Sequence, residues 1–281
     1  MSQQLQGQAL RLEAKSPFEL RLDQGRSVSE SAIKTALATG EMGFLHSFTT
    51  GSAVDGPGIR VVGWTAGCQW KCQFCHNPDT WTMMNGMPVT LERATAELRK
   101  YRHGLKIMSG GFTMSGGEPL MQDRFVIRLF AAAQAMGVHT CLNTNGGLGA
   151  RLSDDELELA DLVIMDLKTW DPERHLQLTG KDVGPTLEFA RRLASKKRPL
   201  WLRFVLIPGV TDDDGDIARI ASFARELGNV DRVDVLPFHQ MGKFKWHALG
   251  LNYALENALP PTPEQVEHAC EIFRAEGLKA Y

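Results

Sequence analysis

Three thiols fall within eight residues of one segment, AGCQWKCQFCHNPDT at 66–80: Cys68, Cys72 and Cys75. Thiolate is a soft ligand that suits zinc, copper(I) or iron–sulfur clusters. A structural zinc ion and a simple iron–sulfur cluster each normally take four protein ligands, and this run offers three. Zinc ribbons pair two Cys-x-x-Cys knuckles far apart in sequence, and the chain has no second knuckle. His76, directly after Cys75, is the candidate to complete a Cys3His zinc site, although adjacent residues rarely chelate one tetrahedral ion. Three thiols on one loop suit three corners of a cubane instead, leaving the fourth iron free to bind a small molecule. The other two cysteines, Cys141 and Cys270, stand alone and read as small buried apolar residues.

Other residues with chemistry end apolar runs. Asp166 and Lys168 close LVIMDLK, and their period-two spacing places both on one face of a strand. If that face is a barrel interior, two charges there need each other or a ligand. Gly116, Gly117 and Glu118 form a GGE turn in which glycine would let the backbone approach a ligand closely. His239 ends RVDVLPFH, and DGPG at 55–58 is by itself a turn signal.

The elements that must position these residues alternate. Apolar, β-rich runs occupy 59–67, 111–117, 139–146, 161–168, 200–209 and 232–239. Between them, 90–101, 123–137, 153–160, 186–197, 216–227 and 262–277 carry helical spacing. In the first of these Leu91, Ala94, Leu98 and Tyr101 share a face; the last opens with Thr262 as N-cap and Pro263 at the first helical position. Such alternation predicts an α/β fold with right-handed crossovers and a parallel sheet, as a partial barrel or a doubly wound sheet. In both, ligands sit at the carboxyl ends of the strands, and the cysteine loop, GGE, NTNG, DLK, PGVTDDD and FH all fall there.

Residues 1–42 read as an N-terminal extension, partly disordered, ahead of one core domain at 43–281. Among 281 residues, 43% are hydrophobic and 23% charged, ordinary for a soluble protein with a sizeable core. Thirty-one Lys and Arg against 33 Asp and Glu call for neither nucleic acid nor an anionic membrane. No apolar run approaches a membrane span, and the N-terminus lacks a signal peptide's apolar core, so a cytoplasmic monomer is expected.

Cys-x3-Cys-x2-Cys resembles the motif of the radical S-adenosylmethionine superfamily. The similarity narrows through SAVDGPGIR (52–60), CHNPDTW (75–81), YRH (101–103), SGGFTMSGGEP (109–119), HTCLNTNG (139–146), DLVIMDLK (161–168), TLEFARRLA (186–194), WLRFVLIPGVTDDD (201–214) and VLPFHQMGKFKW (235–246). As an ordered set over roughly residues 43–281, these resemble the family that activates pyruvate formate-lyase. The resemblance implies a partial (β/α)6 barrel, with a [4Fe–4S] cluster on Cys68, Cys72 and Cys75. It also implies that the open iron binds S-adenosylmethionine, and that the 5′-deoxyadenosyl radical takes a hydrogen from a backbone glycine of pyruvate formate-lyase. The electron would come from a flavodoxin or similar reductant.

Residue by residue, the resemblance places Phe74 against the adenine and Gly116 and Gly117 at the cofactor's amino group. It places Asp166, Leu167 and Lys168 at the ribose and carboxylate, and His76 and His239 at the adenosyl group. Asp55 and His76 would face the partner's glycine loop. Where the family commonly reads CLDTNG, this chain has Asn143, which predicts a monovalent-cation site that is weaker or completed differently with Thr144 and Asp166. Other glycyl-radical activases often carry a cysteine-rich insert; no further cysteine lies between Cys75 and GGE, which favours the short type. The alternative of a different class is a zinc- or cluster-binding regulator without catalysis.

Overall fold

The structure is a computed structural model that describes residues 30–281; residues 1–29 of the expected extension lie outside the described residues. From there the chain runs α1 (Glu30–Thr39), β1 (Met42–Ser52), β2 (Arg60–Thr65), β3 (Met87–Thr90), α2 (Leu91–Ile107), β4 (Gly111–Gly116), α3 (Asp123–Ala135), β5 (His139–Thr144), α4 (Asp154–Leu157) and β6 (Leu162–Asp166). It continues through α5 (Pro172–Thr179), α6 (Gly184–Ser195), β7 (Leu200–Leu206), α7 (Asp214–Leu227), β8 (Val230–Pro237), α8 (Lys243–Ala248) and α9 (Pro263–Ala275). The strands form one open sheet in the order β3-β1-β2-β4-β5-β6-β7-β8. The six from β2 to β8 in that order are parallel, as the alternation predicts, and β1 pairs antiparallel with both β2 and β3.

Those six strands and their helices make the partial barrel. On β7, Leu200, Leu202, Phe204 and Leu206 are buried while Trp201, Arg203 and Val205 alternate with them. The first set joins Ile217, Ile220 and Phe223 of α7 and Phe273 of α9 in the main core. Burying an apolar side chain of this size stabilises by about 1.5–3 kcal/mol relative to exposure. Cys141 is buried with Leu162, Ile164 and the flank of Trp201, so the solitary-cysteine reading holds there, and Cys270 lies in the main core. Thr262 caps α9 as expected, in a reciprocal capping box with Gln265.

Two strands and three helices lie outside the six-strand reading, α1 among them in the expected extension. β3 has four residues and β1 is rich in Ser, Thr and His, so neither shows an apolar period. α5 and α8 have eight and six residues, too short for a helical period to stand out. The helix expected over 153–160 shrinks to the single turn of α4.

Candidate active site

The cysteine loop leaves the carboxyl end of β2 and is tied down on every side. Gly67 and Cys68 donate backbone N–H groups to Thr80 and Trp81 at 2.6 and 3.2 Å, closing the loop on itself. Lys71 and Gln73 donate to the carbonyls of Thr179 and Leu178 at 2.8 and 2.9 Å. These carbonyls belong to the last turn of α5, which a helix leaves without internal partners. Gln122 holds the loop's start by donating to the carbonyls of Phe44 and Ala66, each at 2.8 Å. The indole of Trp246 on α8 donates to the carbonyl of Cys75 at 2.8 Å.

The GGE turn packs directly beneath this loop. Gly116 has φ +130°, and a Cβ there would stand 2.1 Å from the Thr65 nitrogen; at Gly117 a Cβ would meet the Gly67 oxygen at 2.4 Å. Both glycines are therefore demanded by backbone approaching backbone. Glu118 is fully buried and accepts hydrogen bonds from the Leu120 and Asn145 amides at 2.9 and 2.8 Å and from the Thr144 hydroxyl at 2.7 Å. Burial pushes its carboxyl up to about 7 against the pull of those donors. It brackets the ends of β4 and β5 together.

Asp166 and Lys168 do share a face, and they form an ion pair of 2.9 Å. The Lys168 ammonium also stands 5.1 Å from the ring centre of Phe74, which is buried between Cys72 and Cys75. Leu167 turns its side chain into the main core. His76 and His239 stack at 4.0 Å with planes 26° apart, and His76 Nε2 lies 3.2 Å from the His239 carbonyl. His76 is exposed overall, but desolvation of the stacked ring, together with His239 and Lys168, brings it down to about 4. That ring is engaged with His239, away from a Cys3His zinc arrangement.

Asn143 donates to the Ser115 hydroxyl at 3.0 Å, while the Thr144 hydroxyl is committed to Glu118. Asp55 lies on the loop before β2. Its buried carboxylate accepts from Ser52 Oγ at 2.6 Å and lies 3.5 Å from Arg203 of β7, the residue opposite Asp166 in the β6–β7 ladder.

Phe74, Leu178, Ile207, Phe238, Trp246, Tyr253 and Leu255 make an apolar cover, with Cys72, Cys75 and Trp81 packed against it. Burial, with Glu118 adding to it, pushes the Cys68 thiol up to about 12. Burial raises Cys72 and Cys75 as well, with Lys168 opposing it in both. Among the described residues no group of three or more His, Cys, Asp or Glu is arranged to hold a metal ion by itself. Soft donors, an apolar cover and no fourth ligand fit a cluster with one open corner better than a single zinc.

Two neighbours had no role in the sequence reading. Trp81 and Trp246 flank Cys75 from opposite ends of the chain, and only an apolar aromatic after each motif marks them. Asp79 had none either; it pairs with His46 of β1 at 2.9 Å and Lys245 of α8 at 3.0 Å.

Residues 62–221 match the Radical SAM superfamily. The chain is 42% identical over 240 residues to Pyruvate formate-lyase 1-activating enzyme of Escherichia coli (strain K12), covering 85% of this chain and 98% of that protein. It is 41% identical over 244 residues to the pyruvate formate-lyase-activating enzyme of Listeria monocytogenes serovar 1/2a, again covering 85% and 98%. A solved domain of pyruvate-formate lyase-activating enzyme from Bacteroides vulgatus is similar at 25% identity and TM-score 0.51, covering 61% of this chain and 98% of that one. Streptococcus suis SuiB bound to S-adenosylmethionine shares the fold at TM-score 0.58 and 14% identity, over 77% of this chain and 48% of that one. With three thiols gathered at the carboxyl ends of a six-stranded parallel barrel, the chain belongs to the radical SAM superfamily and, within it, to the pyruvate formate-lyase-activating enzymes.

Proposed function

We propose that this chain activates a pyruvate formate-lyase by removing one hydrogen atom from a backbone glycine of that partner. The observation that carries the reading is the set of three half-buried cysteines on one loop with no fourth cysteine beside them. Membership of the family brings a [4Fe–4S] cluster and S-adenosylmethionine, and Cys68, Cys72 and Cys75 hold three of the four irons. When bound, the cluster supplies the electron that splits the sulfonium and yields the 5′-deoxyadenosyl radical.

The chain's own residues then position and shield. Phe74, buried beside the cluster ligands, offers an apolar face to the adenine, with the stacked His76 and His239 at the other side of the adenosyl group. Gly116 and Gly117 present backbone groups to the amino group of the methionine part. Lys168 carries the charge for the carboxylate, and Asp166, with the backbone at Leu167, meets the ribose. Asn143, Thr144 and Asp166 are the candidates to hold a monovalent cation, through the Asn143 amide oxygen and the Thr144 carbonyl. Asp55 and His76 face the partner's glycine loop. Residues 43–281 act as one core domain behind the extension at 1–42.

Among the described residues no helix is long and apolar enough to cross a membrane. A cytoplasmic monomer that takes its electron from a flavodoxin or similar donor completes the proposal.

The test is electron paramagnetic resonance. Anaerobically reconstituted protein, reduced and given S-adenosylmethionine and pyruvate formate-lyase, should yield the doublet of a glycyl radical, and Cys72→Ala should abolish it. A radical that survives Cys72→Ala removes the ligand assignment. A colourless protein carrying one zinc removes the enzyme reading altogether.

A further inference from the structure

One arginine of β7 stands between carboxylates from distant parts of the chain. Arg203 lies opposite Asp166 of β6 in one ladder and opposite Asp234 of β8 in the other. Asp166 is already paired with Lys168 at 2.9 Å, which leaves Asp234 and Asp55 for the guanidinium. Arg203 Nη1 lies 3.5 Å from Asp55 Oδ1, and Nε lies 3.6 Å from Asp234 Oδ2. A good charge-assisted hydrogen bond is shorter, at about 2.7–2.9 Å. Nε is buried and makes no hydrogen bond among the described residues. Nη2 donates to the carbonyl of Val54, the neighbour of Asp55. The arginine is drawn two ways.

The two carboxylates are held differently. Asp234 is fixed: Arg232 Nε stands 2.5 Å from its Oδ1, and the Arg232 guanidinium lies over the rings of Trp201 and Tyr281, at 4.9 and 4.7 Å from their centroids. Tyr281 is tied along β8, donating its N–H to the Val233 carbonyl at 3.1 Å and accepting from the Val235 N–H at 2.9 Å. Asp55 is on a loop whose backbone is pinned, its carbonyl accepting from the Thr113 hydroxyl at 2.7 Å. Its carboxylate accepts from Ser52 Oγ at 2.6 Å and otherwise leans on Arg203. Asp55 is 6% exposed beside a Val54 that is 72% exposed. A carboxylate so placed meets a partner's backbone N–H only by giving up part of its hold on Arg203.

We propose that Asp234, fixed by Arg232, holds Arg203 back from Asp55 and so keeps the Asp55 carboxylate exchangeable for the partner's glycine loop. The inference rests on the proposed function, in which Asp55 faces that loop. A guanidinium shared between two carboxylates at 3.5 and 3.6 Å grips neither tightly. With Asp234 neutralised, Arg203 keeps one uncommitted anionic neighbour and closes on it, in the short geometry that arginine and carboxylate favour. The Arg203 and Asp55 side chains are only 11% and 8% exposed, so water screens the tightened pair little. The partner's loop would then have to break a charge-assisted bond before Asp55 could receive it. Asp234 and Arg232 are thus positioning residues, acting on the partner's affinity through Arg203 and Asp55.

The test separates partner affinity from the chemistry of the site. On reconstituted holoenzyme, the apparent KM for pyruvate formate-lyase is taken from the rate of glycyl-radical formation by electron paramagnetic resonance, and S-adenosylmethionine cleavage is measured without the partner. Asp234→Asn keeps the size of the side chain and an acceptor for Arg232. It should raise KM about fivefold, within the range for coupling inside one ion-pair network, with kcat and partner-free cleavage at wild-type values. Asp234→Glu restores the charge and should bring KM back toward wild type. Asp55→Asn should raise KM too, and adding Asp234→Asn to it should cost nothing more, because the second change acts through the first residue. A wild-type KM in Asp234→Asn, an equally high KM in Asp234→Glu, or effects that multiply in the double variant overturns the proposal. If Asp234→Asn fails to fold or to hold four irons, Arg232→Gln decides: KM should rise about twofold, and an unchanged KM overturns the proposal there as well. Asp55→Asn with a wild-type KM removes the glycine-loop role of Asp55, and this proposal with it. Failure of the proposed function shows differently, as wild-type protein that gives no glycyl radical.

Discussion

Asp79 shows how much one side chain can hold. Its carboxylate takes the His46 ring at 2.9 Å and the Lys245 ammonium at 3.0 and 3.1 Å, and Lys245 also reaches Asn77 at 2.9 Å. Burial alone would raise this carboxyl, but the hydrogen bonds from His46 and Lys245 overcome it and bring it to about 2 from an ordinary 3.8. A lowered folded-state pKa stabilises fully above the unfolded value and is lost as the pH falls through the folded one. The contribution, on the order of 2 kcal/mol, should therefore be complete above pH 4 and vanish toward pH 2. Urea unfolding of Asp79→Asn from pH 6 down to pH 2.5 should show a flatter acid limb than wild type; identical curves would contradict the assignment. At this scale the three cysteines and the shared face of Asp166 and Lys168 were legible, because spacing alone decides them. Asp79 was not, since its partners stand 33 residues before it and 166 after it.

The strand ends set the register of the site. Thr65 lies opposite Gly116 in the β2–β4 ladder, and one turn later Glu118 donates its N–H to the Gly67 carbonyl at 2.8 Å. Gly117→Ala would drive a methyl group into that carbonyl and push the GGE turn off the cysteine loop. We expect a loss of about 1–3 kcal/mol on unfolding, as for other overpacked sites, and several-fold weaker iron retention. Wild-type stability with wild-type iron content in that variant would refute the account. The steric need of these glycines, beside their proposed contact with the cofactor, is hidden in the sequence because it depends on which loop lies above them. The six parallel strands were readable from their apolar runs. α5 and α8, which hold the cysteine loop from two sides, were not, because six to eight residues carry too little periodicity.

Across the whole molecule, the site is braced without its metal. The cysteine loop is hydrogen-bonded to the β1 strand, the GGE turn, α5 and α8, so its shape does not depend on iron as a zinc finger's does. Removing the cluster with chelator and oxidant should leave the far-ultraviolet circular dichroism unchanged and unfolding still cooperative, with only a modest fall in Tm. Collapse of secondary structure on chelation would show that the bracing is insufficient. An α/β fold with a parallel sheet was readable from the order of elements and the barrel only from the family resemblance, whereas the antiparallel β3–β1 margin was not, because pairing rather than composition makes those strands.

The half-buried thiols carry a further consequence for how iron enters. Cys68, Cys72 and Cys75 are all shifted upward, so at neutral pH each holds its proton until a metal replaces it. With these three as the proposed ligands, filling the site expels three hydrogen ions from the cysteines, and the apparent affinity varies with the inverse third power of their concentration. A drop of one pH unit weakens assembly by about a thousandfold. Acid therefore opposes filling of the proposed site through the thiols themselves, separately from any effect on the strands that carry them.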